Sequence, residues 1–297
     1  MQIANSASEK YIEENLKRHV DCLAGLIGPR FLKRPKSIQA TIGYIESQWT
    51  NMGYTIEREN YETQGVQATN IIIESPGIND KRILLLGAHY DTVYCTPGAD
   101  DNASAVAVML EVSRLLRSRK TKKRIRYVAF ACEEPPHFHL GDMGSQVHAR
   151  AAKKRGDHID AMLCLEMVGY YRDEPGSQAI PPGIPKWLHR LFPNRGNFLA
   201  AVGNLNSWKL CWKFRRSFKR TSPQMPLFSI VLPEKIREIR LSDNSSFWDQ
   251  GYPALMLTDT SFLRNPNYHQ ETDTPDTLDY ARMTQVVLGV AEALANL

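Results

Sequence analysis

The chain has 297 residues, of which 42% are hydrophobic and 23% are charged, as in ordinary globular proteins with one large core or two modest ones. No run of about 18 apolar residues is present, so a membrane-spanning helix is not expected. The net charge of +5, from 37 basic and 32 acidic residues, is too small to indicate a dedicated nucleic-acid-binding protein.

The N-terminal residues and the cysteines give an expectation about the compartment. Met1 to Lys10 contain no basic segment leading into an apolar stretch, so we expect no secretory signal and a cytoplasmic protein. The five cysteines form no CxxC pair, and apolar residues flank Cys132 and Cys164. An odd number of cysteines in such surroundings predicts buried free thiols.

Hydrophobic periodicity predicts helices and strands that alternate along most of the chain. The first part reads as two helices and two strands, at about 7–27, 36–52, 54–61 and 69–74. The remainder reads as buried strands at 82–91, 124–134, 160–170 and 254–260, with helices at 103–117, 143–154 and 283–297. Asn102 is placed to cap the helix that follows it.

This alternation predicts an α/β fold with a mostly parallel mixed central sheet and helices on both faces. We expect one catalytic domain over residues 1–297. The segment at about 175–240 interrupts the alternation and is rich in Pro, Trp and basic residues. We therefore expect it to be an insertion that covers or rims the site.

Four of the buried strands end in ionisable residues. In an open α/β sheet, ligands bind beyond the carboxyl ends of the strands, so these side chains should meet in one place. They are His89, Asp91, Glu133, Glu134, Glu166 and Asp259. Several carboxylates at buried strand ends need a cation, and mixed nitrogen and oxygen ligands favour zinc.

Two acidic pairs add to this pattern. Asp100–Asp101 lies in a loop soon after the strand that ends at His89, where a carboxylate can bridge two metals. Glu133–Glu134 follows the apolar run YVAFAC, and the two neighbours can divide their roles between metal and water. Each pair alone is weak evidence, and its value comes from its position.

The ordered motifs resemble those of the co-catalytic zinc aminopeptidase family, which also includes glutamate carboxypeptidase and glutaminyl cyclase relatives. The resemblance runs from about residue 36 to the C-terminus and implies the zinc exopeptidase (phosphorylase/hydrolase-like) architecture. The segments that carry it are GAHYDT (87–92), GADDNASA (98–105), FACEEPP (130–136), LEMVGY (165–170), SDNSSFWDQGYPA (242–254) and YHQETDTPDTLDY (268–280).

The resemblance implies two zinc ions per chain. His89 and Glu166 would bind one zinc, Glu134 and His269 would bind the other, and Asp100 would bridge them. The peptide between Asp100 and Asp101 is often cis in this family.

The resemblance also implies three further roles. Glu133 would be the general base, Asp91 would fix the tautomer of His89, and Tyr268 would hydrogen-bond the substrate carbonyl oxygen. The expected reaction is hydrolysis of the first peptide bond of a peptide with a free N-terminus by a zinc-activated water. We expect no nucleic-acid or membrane partner, and the oligomeric state stays open.

One position departs from the family pattern. Residues 243–244 read Asp-Asn, where the family more often has Asp-His. Because Asn244 does not titrate near neutrality, its presence could reduce activity or alter the pH profile.

Two other functions stay open. A glutaminyl cyclase-like acyltransferase would use one zinc, but that branch typically replaces the second Asp of the pair and has Asp in the LEMVG-like motif. An inactive binding domain on a peptidase fold would have lost ligands or base, and every such position is occupied. A serine hydrolase is excluded because no GxSxG motif is present.

Several features have more than one interpretation. His137 and His139 could form a third metal site, although a contact at the rim is favoured. Trp187, Trp208 and Trp212 could line the cleft, pack in the core or cover the fold. The basic runs 117–126 and 213–220 could bind an anionic partner, but we favour solvated surfaces because no nucleic-acid-binding pattern accompanies them.

Overall fold

The computed structural model describes residues 6–297. The expectation of no secretory signal rested on Met1 to Lys10, and residues 1–5 of that stretch lie outside the described residues. Among the helices that the structure describes, none is both long and apolar enough to span a membrane.

One eight-stranded mixed sheet organises the fold, with the strand order β1-β2-β4-β3-β5-β8-β6-β7. The strands are β1 Glu57–Thr63, β2 Val66–Ser75, β3 Gly77–His89, β4 Thr121–Phe130, β5 His158–Glu166, β6 Leu199–Asn204, β7 Leu227–Leu232 and β8 Ala254–Thr258. The central strands β4, β3, β5 and β8 are parallel, whereas β1 and β2 are antiparallel additions at one edge. This confirms the predicted α/β class.

Within residues 6–297, seven α-helices cover the two faces of the sheet. They are α1 Ser6–Val20, α2 Pro35–Asn51, α3 Ala105–Leu116, α4 Gly144–Arg155, α5 Trp208–Thr221, α6 Asn244–Trp248 and α7 Tyr280–Asn296. A π-helical segment, Asp21–Ile27, continues α1. One hydrophobic core joins α1, α2, α3, α5 and α7 to the sheet, and a second core joins α4 and α6 to the opposite face.

The segment 175–240 contributes to the sheet itself. It contains β6, α5 and β7, and β6 pairs antiparallel with β8 and parallel with β7. The sequence pattern does not predict these strands. Residues of the segment such as Gln178, Pro181 and Phe192 also line a cavity that includes Glu133 and Glu134.

Candidate metal centre

The carboxyl ends of the central strands bring the predicted metal-binding side chains together. His89 ends β3 and Glu166 ends β5, and their Nε2 and Oε2 atoms lie 3.3 Å apart. Glu134 follows β4, and its Oε2 lies 3.4 Å from Nε2 of His269 in the loop before α7. Two neighbouring pairs of a histidine and a glutamate result.

Asp101 lies between the two pairs. Its Oδ1 is 3.5 Å from Nε2 of His89, and its Oδ2 is 3.1 Å from Nε2 of His269. Two groups that could hold a metal ion share this residue, and the donor atoms of each group lie within 4.8 Å of one another: His89, Asp101 and Glu166, and Asp101, Glu134 and His269.

The prediction that Asp100 bridges the two groups is wrong. Its Oδ1 accepts a hydrogen bond from the Gly169 amide at 2.9 Å, and its Oδ2 accepts one from Nδ2 of Asn265 at 2.7 Å. Burial and the neighbouring Asp259 raise the pKa of Asp100 well above its usual value. Asp100 therefore connects the loops behind the site, and Asp101 faces the histidines.

Two further predictions about this loop, the position of the cis peptide and the role of Asn102, are also wrong. The cis peptide joins Asp101 to Asn102, not Asp100 to Asp101. Asn102 does not cap α3. Its Nδ2 donates to the Leu165 carbonyl at 3.2 Å, and its Oδ1 accepts from the Met167 amide at 2.9 Å. Asn102 thus holds the end of β5, where Glu166 lies.

Asp91 positions the neighbouring elements. Its Oδ1 lies 3.5 Å from Nδ1 of His89, and its two carboxylate oxygens accept hydrogen bonds from the amides of Glu133 and Glu134 at 3.1 Å. Burial acts to raise the pKa of Asp91, but His89 and these amides together hold it below its usual value. The ionised carboxylate therefore fixes the backbone of both glutamates beside the imidazole.

Two residues that were not among the predicted site residues hold the Asp101 loop. Asp273 accepts hydrogen bonds from the amides of Asp100 and Asp101 at 2.9 and 3.1 Å. The buried guanidinium of Arg30 donates to five carbonyl oxygens, two of which belong to Pro97 and Gly98 at the start of the same loop. Asp273 lies within the last of the recognised motifs, whereas no motif marks Arg30.

The donor atoms of both groups call for a cation. Both ring nitrogens of His89, Oδ1 of Asp101 and Oε1 of Glu134 are buried without a hydrogen-bond partner. Burial raises the pKa of Glu133 well above its usual value and that of Glu134 to about 8. Buried donors of this kind are costly unless they are paired with positive charge, and imidazole nitrogens with carboxylate oxygens are a donor set that zinc accepts.

Residues next to the donors adopt unusual backbone conformations. Cys132, Met167 and His269 have φ values of 59°, 49° and 58°, in the left-handed region that bulky residues rarely occupy. Cys132 precedes the glutamate pair, and Met167 follows Glu166. Such conformations cluster at functional sites because the surrounding structure must hold them in place.

A cavity of about 190 Å³ opens from the metal-binding groups. Glu133, Tyr268 and Glu166 line its polar end, and the Tyr268 ring stacks on His269 with 3.7 Å between centroids. The rest of the wall is mostly apolar. It includes Phe138, Phe192, Phe198, Val202, Phe228, Ile230, Met256 and Phe262.

The segment with the family departure lies behind the site. Ser242 donates to Oε2 of Glu166 at 2.6 Å, and Asn244 donates to the Ile239 carbonyl at 2.9 Å. Asp243 and Asn244 are fully buried, and both oxygens of Asp243 are without a hydrogen-bond partner. Burial raises the pKa of Asp243 to about 7.

The other candidate histidines and tryptophans lie away from the two groups. His137 contacts Thr63 and Asp142, and Nε2 of His139 contacts the Arg240 carbonyl. Among the described residues, neither histidine belongs to a group that could hold a metal. Trp187, Trp208 and Trp212 are 72%, 56% and 57% exposed, and none lines the cavity described above.

Comparison with known proteins places this geometry in a family. The model of the family described as peptidase family M28 matches residues 70–294. The uncharacterized protein YfbL of Escherichia coli is 35% identical over 291 residues, which cover 95% of this chain and 88% of YfbL.

Solved structures share the fold. The structure of BSAP, a zinc aminopeptidase from Bacillus subtilis, has a TM-score of 0.75 at 16% identity, covering 95% of this chain and 94% of that one. Fimbriiglobus ruber glutaminyl cyclase has a TM-score of 0.71 at 16% identity, covering 96% and 95%. The fold is thus common to peptidases and cyclases.

Proposed function

Because the chain belongs to peptidase family M28, we propose that it is a zinc-dependent aminopeptidase that hydrolyses the first peptide bond of substrates with a free N-terminus. The observation that carries this proposal is the position of Asp101, whose two oxygens face two separate histidines at 3.5 and 3.1 Å. A shared carboxylate between two complete donor sets is the arrangement expected of a two-metal hydrolase.

In this proposal, the chain would hold two zinc ions. His89 and Glu166 would bind one, Glu134 and His269 would bind the other, and Asp101, which belongs to both donor groups, would be shared between them. When bound, zinc supplies positive charge that makes a nearby water more acidic and polarises a carbonyl group. Asp91 keeps the Nε2 of His89 directed at the metal, and Ser242 orients Glu166 through its hydrogen bond.

Glu133 is the proposed general base. It belongs to neither donor set, yet its Oε2 lies 3.9 Å from Nε2 of His89, at the polar end of the cavity. From this position its carboxylate removes a proton from the attacking water and delivers it to the leaving amine. Its neighbour Glu134 is held in a different direction because Asp91 fixes both backbone amides.

Tyr268 and the apolar wall are proposed to select and orient the substrate. The Tyr268 hydroxyl stays protonated because burial raises its pKa, so it can donate to the carbonyl oxygen as negative charge develops there. The cavity volume of about 190 Å³ exceeds an engineered cavity of about 150 Å³ that holds benzene. We therefore expect a preference for one large apolar side chain at the cleaved residue.

A glutaminyl cyclase-like reaction is the second candidate, supported by the shared fold. Three features favour hydrolysis. Asp101, the second Asp of the pair, is retained where cyclases typically replace it, and Glu166 rather than Asp lies in the LEMVG motif. The complete second donor set, with Glu134 and His269, also exceeds what a single-zinc enzyme requires.

A substrate panel tests the proposal. Purified protein is assayed with leucine, phenylalanine, lysine and glutamate p-nitroanilides, with their N-acetyl counterparts, and with a glutamine-initiated peptide, before and after chelation. We expect cleavage of the free-amine leucine and phenylalanine substrates only, lost on chelation and restored by zinc. Cyclisation of the glutamine peptide without amide cleavage would assign the cyclase reaction instead. Cleavage of the N-acetyl substrates would contradict an aminopeptidase.

A further inference from the structure

The outward face of α5 differs from the rest of the surface in composition. We define the α5 face as the exposed positions of α5 together with those of the preceding turn. It contains three large apolar residues, six cations and no acidic residue. Its members are Leu205, Asn206, Trp208, Lys209, Trp212, Lys213, Arg215, Arg216, Lys219 and Arg220. The opposite face of the helix is buried through Leu210, Cys211, Phe214 and Phe218. The exposed tryptophans are thus not needed to hold the helix on the fold.

Helical spacing aligns the apolar residues. Leu205, Trp208 and Trp212 are separated by three and four residues, so they form one continuous stripe on the surface. Their exposures are 59%, 56% and 57%. Solitary exposed apolar residues are common on proteins, but two aligned tryptophans with an adjacent leucine form a patch that is typical of an interaction site.

The cations of the α5 face are not neutralised by the acidic side chains that the structure describes. Within residues 6–297, no carboxylate forms an ion pair with the six Lys and Arg side chains of this face. Two of them contact indole rings, since Lys209 lies over Trp208 and Arg216 lies over Trp212 at 5.5 and 5.6 Å from the ring centroids. The positive charge is therefore available to an external anion.

The other basic run of the chain provides an internal comparison. In residues 117–126, Arg119 pairs with Glu292, Lys123 pairs with Asp160, and Arg126 pairs with Glu74 and Asp157. Arg124 also pairs with Glu74, so four of the seven cations in that run have a carboxylate partner. Among the described residues, no cation of the second run, on α5, has one, although both runs have a similar density of cations in the sequence.

We propose that the α5 face docks on an anionic phospholipid surface. Lys and Arg side chains supply attraction to the lipid phosphates, and indole rings favour the interface between headgroups and acyl chains. Duplex DNA is a poorer fit, because exposed indole and isobutyl groups gain nothing from a phosphate backbone. The expectation of no membrane partner rested on the lack of a spanning segment, which does not bear on peripheral binding.

Docking at this face leaves the cavity open. β6 runs antiparallel to β8, with Ala200 opposite Thr258 and Gly203 opposite Leu255. The turn that begins with Leu205 therefore lies at the edge of the sheet opposite the metal centre. The cavity-lining residues Ala200 and Val202 belong to the core shared with α4 and α6, whereas α5 packs in the other core, on the opposite face of the sheet. Membrane contact and substrate entry therefore use different faces of the sheet, so the proposal does not depend on the proposed peptidase activity.

Vesicle flotation tests the proposal with the full chain. We expect binding to vesicles of phosphatidylcholine with 30% phosphatidylglycerol, little binding to pure phosphatidylcholine, and loss of binding at high salt. The triple variant Lys213→Gln, Arg216→Gln and Arg220→Gln should bind about 100-fold more weakly, since each cation contributes a factor of about five. The matched control, Lys33→Gln, Lys36→Gln and Lys81→Gln, removes the same charge from exposed positions elsewhere and should bind as the wild type does.

Tryptophan variants separate lipid docking from simple charge attraction. Trp208→Ala with Trp212→Ala should weaken vesicle binding at least about tenfold, because apolar burial contributes to interfacial affinity. Trp187→Ala, at a similarly exposed tryptophan, should have no effect. Circular dichroism verifies that each variant is folded.

Three outcomes would overturn the proposal. The first is that the protein does not bind anionic vesicles, and the second is that the two triple variants weaken vesicle binding equally. The third is that the protein binds a DNA duplex more tightly than vesicles at the same salt concentration.

Discussion

Glu133 and Glu134 are neighbours in the chain, but the structure directs them differently. Glu134 joins a donor group with Asp101 and His269, whereas Glu133 lies in neither group, although both glutamates line the cavity. The strand end alone indicates that the two glutamates can divide their roles, because adjacent residues of an extended chain point to opposite sides. The resemblance to the family is what assigns the base to Glu133 and the metal ligand to Glu134.

The role of Glu133 can be tested without disturbing the metal. Glu133→Gln preserves size and removes the base, so we expect kcat to fall by about 10²–10⁴-fold while metal content stays at the wild-type level. The adjacent change Glu134→Gln should instead lower metal content. Metal analysis and steady-state kinetics on both variants check this. Loss of metal from Glu133→Gln would show that Glu133 is a ligand.

The sequence alone does not show whether Asp100 or Asp101 is the carboxylate that faces the two histidines. Two identical residues in a loop follow no periodicity, and only the path of the backbone decides which carboxylate faces the histidines. The structure gives that position to Asp101, while Asp100 accepts hydrogen bonds from Gly169 and Asn265.

Paired asparagine variants test this correction. Asp101→Asn should lower zinc content and abolish most activity, because the bridging carboxylate is lost. Asp100→Asn should retain zinc and lose about 1–3 kcal/mol of unfolding free energy, since a buried hydrogen bond is broken. Elemental analysis and urea unfolding measure both. Zinc loss confined to Asp100→Asn would restore the original assignment.

At the level of elements, the sequence predicts the central strands and most helices because each buried strand is a continuous apolar run. It missed β6 and β7, which are six residues each and lie within a segment dominated by Pro, Trp and basic residues. The apolar character of the short strands is hidden when the composition of the whole segment is considered. The highly charged α5 between them packs through only four buried residues.

The packing of α5 on α7 gives a test at this scale. A Cβ added at Gly289 of α7 would lie 2.3 Å from the Phe218 ring of α5, so Gly289→Ala should destabilise the fold by about 1–3 kcal/mol. At Gly43 in α2 a Cβ meets nothing within 4 Å, so Gly43→Ala should stabilise by up to about 1 kcal/mol.

A double variant identifies the cause of the Gly289 effect. Phe218→Leu removes the ring that the new methyl group meets, so the cost of Gly289→Ala should be smaller in the Phe218→Leu background. Urea unfolding of the single and double variants provides this comparison. Equal costs in both backgrounds would show that the ring is not responsible.

At the scale of the whole molecule, the fold does not distinguish the candidate reactions. BSAP and the glutaminyl cyclase match this chain at TM-scores of 0.75 and 0.71 with the same 16% identity. The distinction lies in the donor atoms, where Asp101 connects two complete groups. Metal stoichiometry coupled to hydrolysis therefore distinguishes the proposed two-zinc aminopeptidase from a single-zinc cyclase.

The most direct measurement is a zinc titration of the chelator-stripped protein, with hydrolysis of leucine p-nitroanilide and cyclisation of N-terminal glutamine followed at each addition. Since the two donor groups share Asp101, hydrolysis should rise until both groups are filled and cyclisation should stay absent. The two-zinc aminopeptidase would be contradicted if cyclisation of glutamine reached its maximum with one zinc bound per chain while the anilide stayed intact.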